Sequence, residues 1–155
     1  PGPAPGEAVA PAPPSLPAAL LLRPERLRLI PSFDHWAATY GVPADLLKAL
    51  AWLESGWQSR KVSPAGALGI GQLMPATVQF VNHKLLRANL DPADPDDNIR
   101  MSARFLRYLL DRSGDDPARA LAAYYQGLGS VERRGPLPQA RRYVANVEAL
   151  RPRFG

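Results

Sequence analysis

The sequence predicts a mainly α-helical domain, and three observations lead there. Apolar residues recur at helical spacing in Leu46, Leu47, Leu50 and Leu53, and again in Ala140, Tyr143, Val144, Val147 and Leu150. Prolines stand at the starts of the periodic segments and glycines at their ends, the usual asymmetry of helix termini. No segment alternates apolar and polar residues as a half-buried strand does.

Taken in order, residues 1–24 are rich in proline and alanine and read as an extended linker, with a helical domain over 25–155. Nine of the 18 prolines fall within the first 31 residues, which sets this stretch apart from the rest. Leu27, Leu29 and Ile30 form an approach segment, and Ser32 after Pro31 is the expected start of a helix that ends at Gly41. The next helix has Pro43 in its first turn and stops at Gly56. Residues 57–74 read as a loop punctuated by Gly66, Gly69 and Gly71, and Pro75 opens a further helix. After the turn-rich Asp91 to Pro95, Asn98 is the expected N-cap of a helix over 99–110. Asp116-Pro117 starts a helix running to about Gln126, and Pro138 starts the last one.

A chain of 155 residues suffices for one domain with a substantial core, and 46% hydrophobic with 21% charged residues is a globular composition. The net charge of +5 and the pI near 10.0 favour an anionic partner without naming it. Arginines such as Arg100, Arg104, Arg107, Arg112, Arg133-Arg134 and Arg141-Arg142 are dispersed and read as solvated faces, so no nucleic-acid partner is expected. With no cysteine there is no disulfide framework and no thiol nucleophile. The apolar stretch from Leu16 to Leu22 is interrupted by Pro17 and is too short for a membrane span. His35 and His83 are isolated, so no metal site is expected. Asp91, Asp94, Asp96 and Asp97 lack calcium-loop spacing and read as capping and turn residues.

Glu54 is the exception to ordinary patterning. At about 100° per residue it projects between Leu47 and Leu50, inside the apolar stripe, while Asp45, Lys48 and Ser55 point away. A carboxyl group on a buried face is paired, neutral or engaged in chemistry.

Four strings frame it in order: Ala51-Trp52-Leu53-Glu54-Ser55-Gly56-Trp57, Ser63 to Thr77 with its Gly69-Ile70-Gly71-Gln72, Asp94 to Ile99, and Ala122-Ala123-Tyr124-Tyr125-Gln126-Gly127. Together they resemble the soluble lytic transglycosylase family over about residues 32–153. The resemblance implies a lysozyme-like helical domain that cleaves the β-1,4 bond between N-acetylmuramic acid and N-acetylglucosamine in peptidoglycan. It implies Glu54 as the single catalytic acid and base, with Ser55 following it. It further implies that Ser63 and Gln72 line the glycan groove, that Tyr124 and Tyr125 occupy the place of an Ala-Tyr-Asn motif, and that the Tyr143 hydroxyl points toward the carboxyl group. Tyr143 also fits the apolar face of the last helix as a core residue, and Met74 and Trp57 read as packing residues.

Four positions depart from the family pattern: Ile70 and Gly71 in place of the leucine and methionine of Gly-Leu-Met-Gln, Tyr125 in place of asparagine, and Ser102 in place of glycine. Gln126 is the candidate to supply the missing amide, and Ser102 is expected to affect helix packing. With one carboxyl group in the motifs, the expected chemistry is protonation of the glycosidic oxygen by Glu54, then closure of the C6 hydroxyl on C1 to give a 1,6-anhydro sugar, without metal or cofactor. The rivals are a goose-type lysozyme-like hydrolase using water, a catalytically weak wall-binding module, and a nucleic-acid binder with steep salt dependence. The substrate places the protein outside the cytoplasm, as an expected monomer.

Overall fold

The computed structural model describes residues 15–155, so most of the expected linker lies outside the described residues. From Ser15 onward the chain is already folded against the domain. α1 (Ala18–Leu21) inserts Leu20 into the core, and Arg153 Nε donates to the Ser15 carbonyl at 2.9 Å. α2 (Pro24–Leu27) leads to α3 (Ile30–Tyr40), then α4 (Ala44–Ser55). After the 56–74 loop come α5 (Pro75–Phe80), which continues into a π-helical turn Val81–Leu86, and α6 (Pro95–Arg112). α7 (Pro117–Gln126), α8 (Leu128–Arg134) and α9 (Pro138–Leu150) follow, and a 3-10 turn Arg151–Phe154 closes the chain. Among the described residues the only strand-like pairings are the isolated bridges Val62 to Leu68 and Leu68 to Leu73. The mainly helical prediction is what the structure shows.

α4 is the axis of the domain. Leu46, Leu47, Ala49, Leu50 and Ala51 are all closed to solvent, and α3, α9 and the terminal 3-10 turn surround them. A second, smaller cluster of Leu73, Val78, Val81 and Met101 forms where α5 and the π turn meet α6. Phe105 and Tyr124 pack against both clusters and join them. Among the described residues no helix is long and apolar enough to cross a membrane.

Two expected helix starts are corrected. α3 begins at Ile30, with Pro31 in its first turn, and the Ser32 hydroxyl donates instead to Asp96, which also accepts from Trp36 Nε1 at 2.8 Å. α6 begins at Pro95 under Asp94, whose carboxylate accepts from the Asp97 amide at 2.9 Å. Asn98 therefore lies one turn inside the helix, fully buried. Its Nδ2 donates to the Leu68 and Pro92 carbonyls and its Oδ1 accepts from the Gly71 amide at 2.9 Å, so it anchors the 56–74 loop. The neighbouring aspartates do cap and turn, since Asp91 accepts from Ala93 N and Asp97 from Asp91 N.

Candidate active site

Glu54 reaches the site because α4 ends beneath it. Gly56 adopts φ 61°, a left-handed conformation that costs a side-chain-bearing residue about 1 kcal/mol or more, and it caps the helix through Trp52 O. Trp57 then turns inward and donates Nε1 to the Lys48 carbonyl at 3.0 Å, while Lys61 Nζ donates to the main-chain carbonyl of Glu54 at 2.8 Å. Partial burial raises the Glu54 carboxyl from 4.5 to about 7, against the opposing effects of a Tyr143 hydrogen bond and the Lys61 charge. The carboxyl group is thus poised to hold a proton near neutrality.

Tyr143, on α9, donates its hydroxyl to Glu54 Oε2 at 3.0 Å and is 7% exposed. Burial, and then the neighbouring Glu54 charge, push its own pKa well above the ordinary value, so it remains a donor. Tyr125, half exposed at 51%, stacks on Tyr143 with ring centroids 4.9 Å apart. Beside it a groove of about 490 Å³ runs between α5, α6 and α7, walled by Met74, Thr77, Phe80, Tyr108, Tyr124 and Tyr125. A second hollow of about 290 Å³ continues past Tyr125 to Leu53 and the face of α9 that carries Tyr143. An aromatic-walled cleft, with Tyr143 at its end hydrogen-bonded to a carboxyl group raised to about 7, suits a sugar chain and acid catalysis of its linkage.

The structure revises several of the expected contacts. Ser55 is 2% exposed and donates its hydroxyl to the Ile70 carbonyl at 2.6 Å, so it ties α4 to the 56–74 loop and does not face the groove. Gln72 stands at φ 50° with Nε2 donating to Gly69 O and Lys61 O, which leaves Oε1 as its remaining polar atom. Ser63 Oγ accepts from the Ala67 amide and keeps its proton for another acceptor. Tyr124 donates to the Gly71 carbonyl at 2.6 Å while its ring walls the groove. Gln126 does not replace an asparagine: Nε2 donates to Ser130 Oγ and Gly135 O, Oε1 accepts from Leu137 N, and all three bonds hold the turn around α8. Met74, expected to be a packing residue, is 42% exposed at the groove wall; the extended residue before Pro75 is held away from the helix body, and that Met-Pro step is its sequence signal.

The departures at 71 and 102 prove to be a single exchange of volume. A Cβ on Gly71 would overlap Ser102 Oγ and approach the Tyr124 hydroxyl to 2.9 Å, so the glycine is required by space and not by its φ. Gly71→Ala is therefore expected to cost about 1–3 kcal/mol through overpacking. Gly71→Ala combined with Ser102→Gly should recover most of that loss in thermal unfolding. Additive losses in the two single variants and the double variant would show that the two positions do not share this space.

Residues 31–144 match the family described as Transglycosylase SLT domain. Membrane-bound lytic murein transglycosylase F 1 of Alkalilimnicola ehrlichii is 35% identical over 129 residues, which is 76% of this chain and 24% of that protein. Among solved structures, the 70 kDa soluble lytic transglycosylase of Escherichia coli superposes with a TM-score of 0.72 at 26% identity, over 80% of this chain and 23% of its own. An inactive mutant of lytic transglycosylase Slt from Pseudomonas aeruginosa gives 0.74 at 26% identity, over 83% of this chain and 24% of its own. The chain thus spans about a quarter of the length of these proteins.

Proposed function

Because the chain belongs to the transglycosylase SLT family, we propose that it cleaves the β-1,4 bond between N-acetylmuramic acid and N-acetylglucosamine of peptidoglycan, with Glu54 as acid and then base. The observation that carries this reading is a half-buried carboxyl group, raised to about 7, whose Oε2 is occupied by the Tyr143 hydroxyl. With Oε2 engaged, the proton rests on Oε1 and passes to the glycosidic oxygen. The C1–O bond breaks as the N-acetyl carbonyl of muramic acid supports positive charge at C1. The Glu54 carboxylate then takes the proton of the C6 hydroxyl, whose oxygen closes on C1, and the acid form is restored. Hydrolytic glycosidases pair two carboxyl groups about 5 Å or about 6.5–9.5 Å apart. Among the described residues the charge acting on Glu54 is the cation of Lys61, with no second carboxylate contributing, which favours a nucleophile supplied by the substrate.

Peptidoglycan lies outside the cytoplasm, and the same reading places the protein there. Its test is the mass of the products released from purified sacculi. Muropeptides one water lighter than their reducing counterparts, ending in 1,6-anhydromuramic acid, are expected. Reducing muramic acid ends as the main product would assign water as the nucleophile and make the protein a hydrolase.

A further inference from the structure

α9 brings more than Tyr143 to the site. Gln139, Arg142, Tyr143 and Asn146 follow one another at i, i+3, i+4 and i+7, on one face of the helix, and line the 290 Å³ hollow with Leu53 and Tyr125. The hollow shares Tyr125 with the aromatic groove, and Tyr143 carries it to Glu54. It therefore lies beside the carboxyl group proposed to act on the glycosidic bond.

Of its polar lining, the Tyr143 hydroxyl is engaged by Glu54, and Arg142 has no carboxylate partner among the described residues. Arg107, Arg112 and Arg151 are paired with carboxylates, and Arg141 donates to Pro136 O. Arg142 is exposed and belongs to none of the ion pairs among the described residues, and no acidic residue lines the hollow. The amides of Gln139 and Asn146 flank it. A guanidinium between two amide donors, in a hollow without acidic side chains, matches a carboxylate, which it binds through two parallel N–H bonds.

We propose that Arg142, with Gln139 and Asn146, forms a carboxylate subsite that engages an acid group of the glycan strand beside the cleaved bond. The assignment rests on the peptidoglycan reading above. That polymer offers two such acids: the lactyl group of muramic acid, free where the peptide has been removed, and the carboxylates of the stem peptide. The subsite separates peptidoglycan from a neutral N-acetylglucosamine polymer of the same linkage, which the aromatic groove alone accepts.

The test compares wild type and Arg142→Ala on peptide-bearing strands, on amidase-treated strands carrying the lactyl acid alone, and in binding to N-acetylglucosamine oligomers, all at low ionic strength. Expected is a rise in KM of about fivefold on peptide-bearing strands with kcat little changed, and an unaltered Kd for the neutral oligomers. A rise confined to peptide-bearing strands assigns the stem peptide, a rise confined to amidase-treated strands assigns the lactyl acid, and a rise on both assigns whichever of the two acids the strand carries. Arg142→Lys, which keeps the charge and loses the planar fork, should fall between the two. Unchanged KM on both substrates, or equal weakening toward the neutral oligomers, overturns the subsite while leaving the cleavage reading intact. Failure of the wild type to cleave either strand overturns the cleavage reading and the subsite with it.

Discussion

Glu54→Gln is expected to eliminate release of anhydromuropeptides from sacculi and, above neutral pH, to make the protein more stable. The rate loss should be about a thousandfold or more, because in the proposed mechanism one carboxyl group serves both proton transfers and an amide serves neither. In the wild type the rate is expected to fall as pH rises through about 7, where Glu54 loses its proton. The stability effect has the opposite origin. The folded carboxyl titrates near 7 and the unfolded one near 4.5, so folding favours the neutral form. Its contribution is fully present below pH 4.5 and is lost as pH rises to about 7. That loss amounts to about 2–3 kcal/mol once partial solvent access is discounted. Glutamine does not titrate, so the variant should match wild type in urea unfolding at pH 4.5 and exceed it at pH 8. A stability difference that stays constant with pH would mean an ordinary carboxylate, and retained cleavage would place the acid on another residue.

The legible parts of this fold were those written in local chemistry. Pro43 and Gly56 bracket α4, Asp116 and Pro117 start α7, and Pro138 starts α9, because a cap or a fixed φ acts within a turn. α1 and α2 are one turn each, and α8 buries Val131 alone between Gly127 and Gly135, so none of the three has a periodicity to read. Asn98 shows a deeper ambiguity. A side-chain oxygen that accepts from a backbone amide is the same chemistry in a helix cap and in a loop anchor, and only the tertiary approach of Gly71 distinguishes them. Gln126 was misplaced for the same reason.

Among the site residues, Glu54 was visible because it breaks an apolar stripe, whereas Ser55 one residue later faces the interior and touches no groove. The meaning of Gly71 was legible only with Ser102 beside it, since 31 positions separate the two in sequence and a single atomic volume joins them in the fold. Arg142 looked like one arginine in a solvated run. Its neighbours at helical spacing, all facing one hollow, give it a different context.

Tyr143→Phe should lower kcat about tenfold and move the alkaline limb of the pH profile upward. The hydroxyl donates to Glu54 Oε2 at 3.0 Å, and a hydrogen bond to a charged group contributes about 1.5–3 kcal/mol. Its contribution is larger once Glu54 has given up its proton, which is why this bond lowers the carboxyl pKa. Removing it therefore leaves the carboxyl above 7, protonated over a wider pH range but a weaker donor, with a carboxylate product no longer stabilised. It also frees Oε2 to carry the proton, so that part of the population presents it away from the glycosidic oxygen. Phenylalanine preserves the ring that stacks on Tyr125 at 4.9 Å, so the groove wall is retained. A purely structural tyrosine would lower the folded fraction and leave the pH limb where it was. Rate loss accompanied by an upward shift of the limb assigns the hydroxyl to the reacting carboxyl group; an unmoved limb returns Tyr143 to the core of α9.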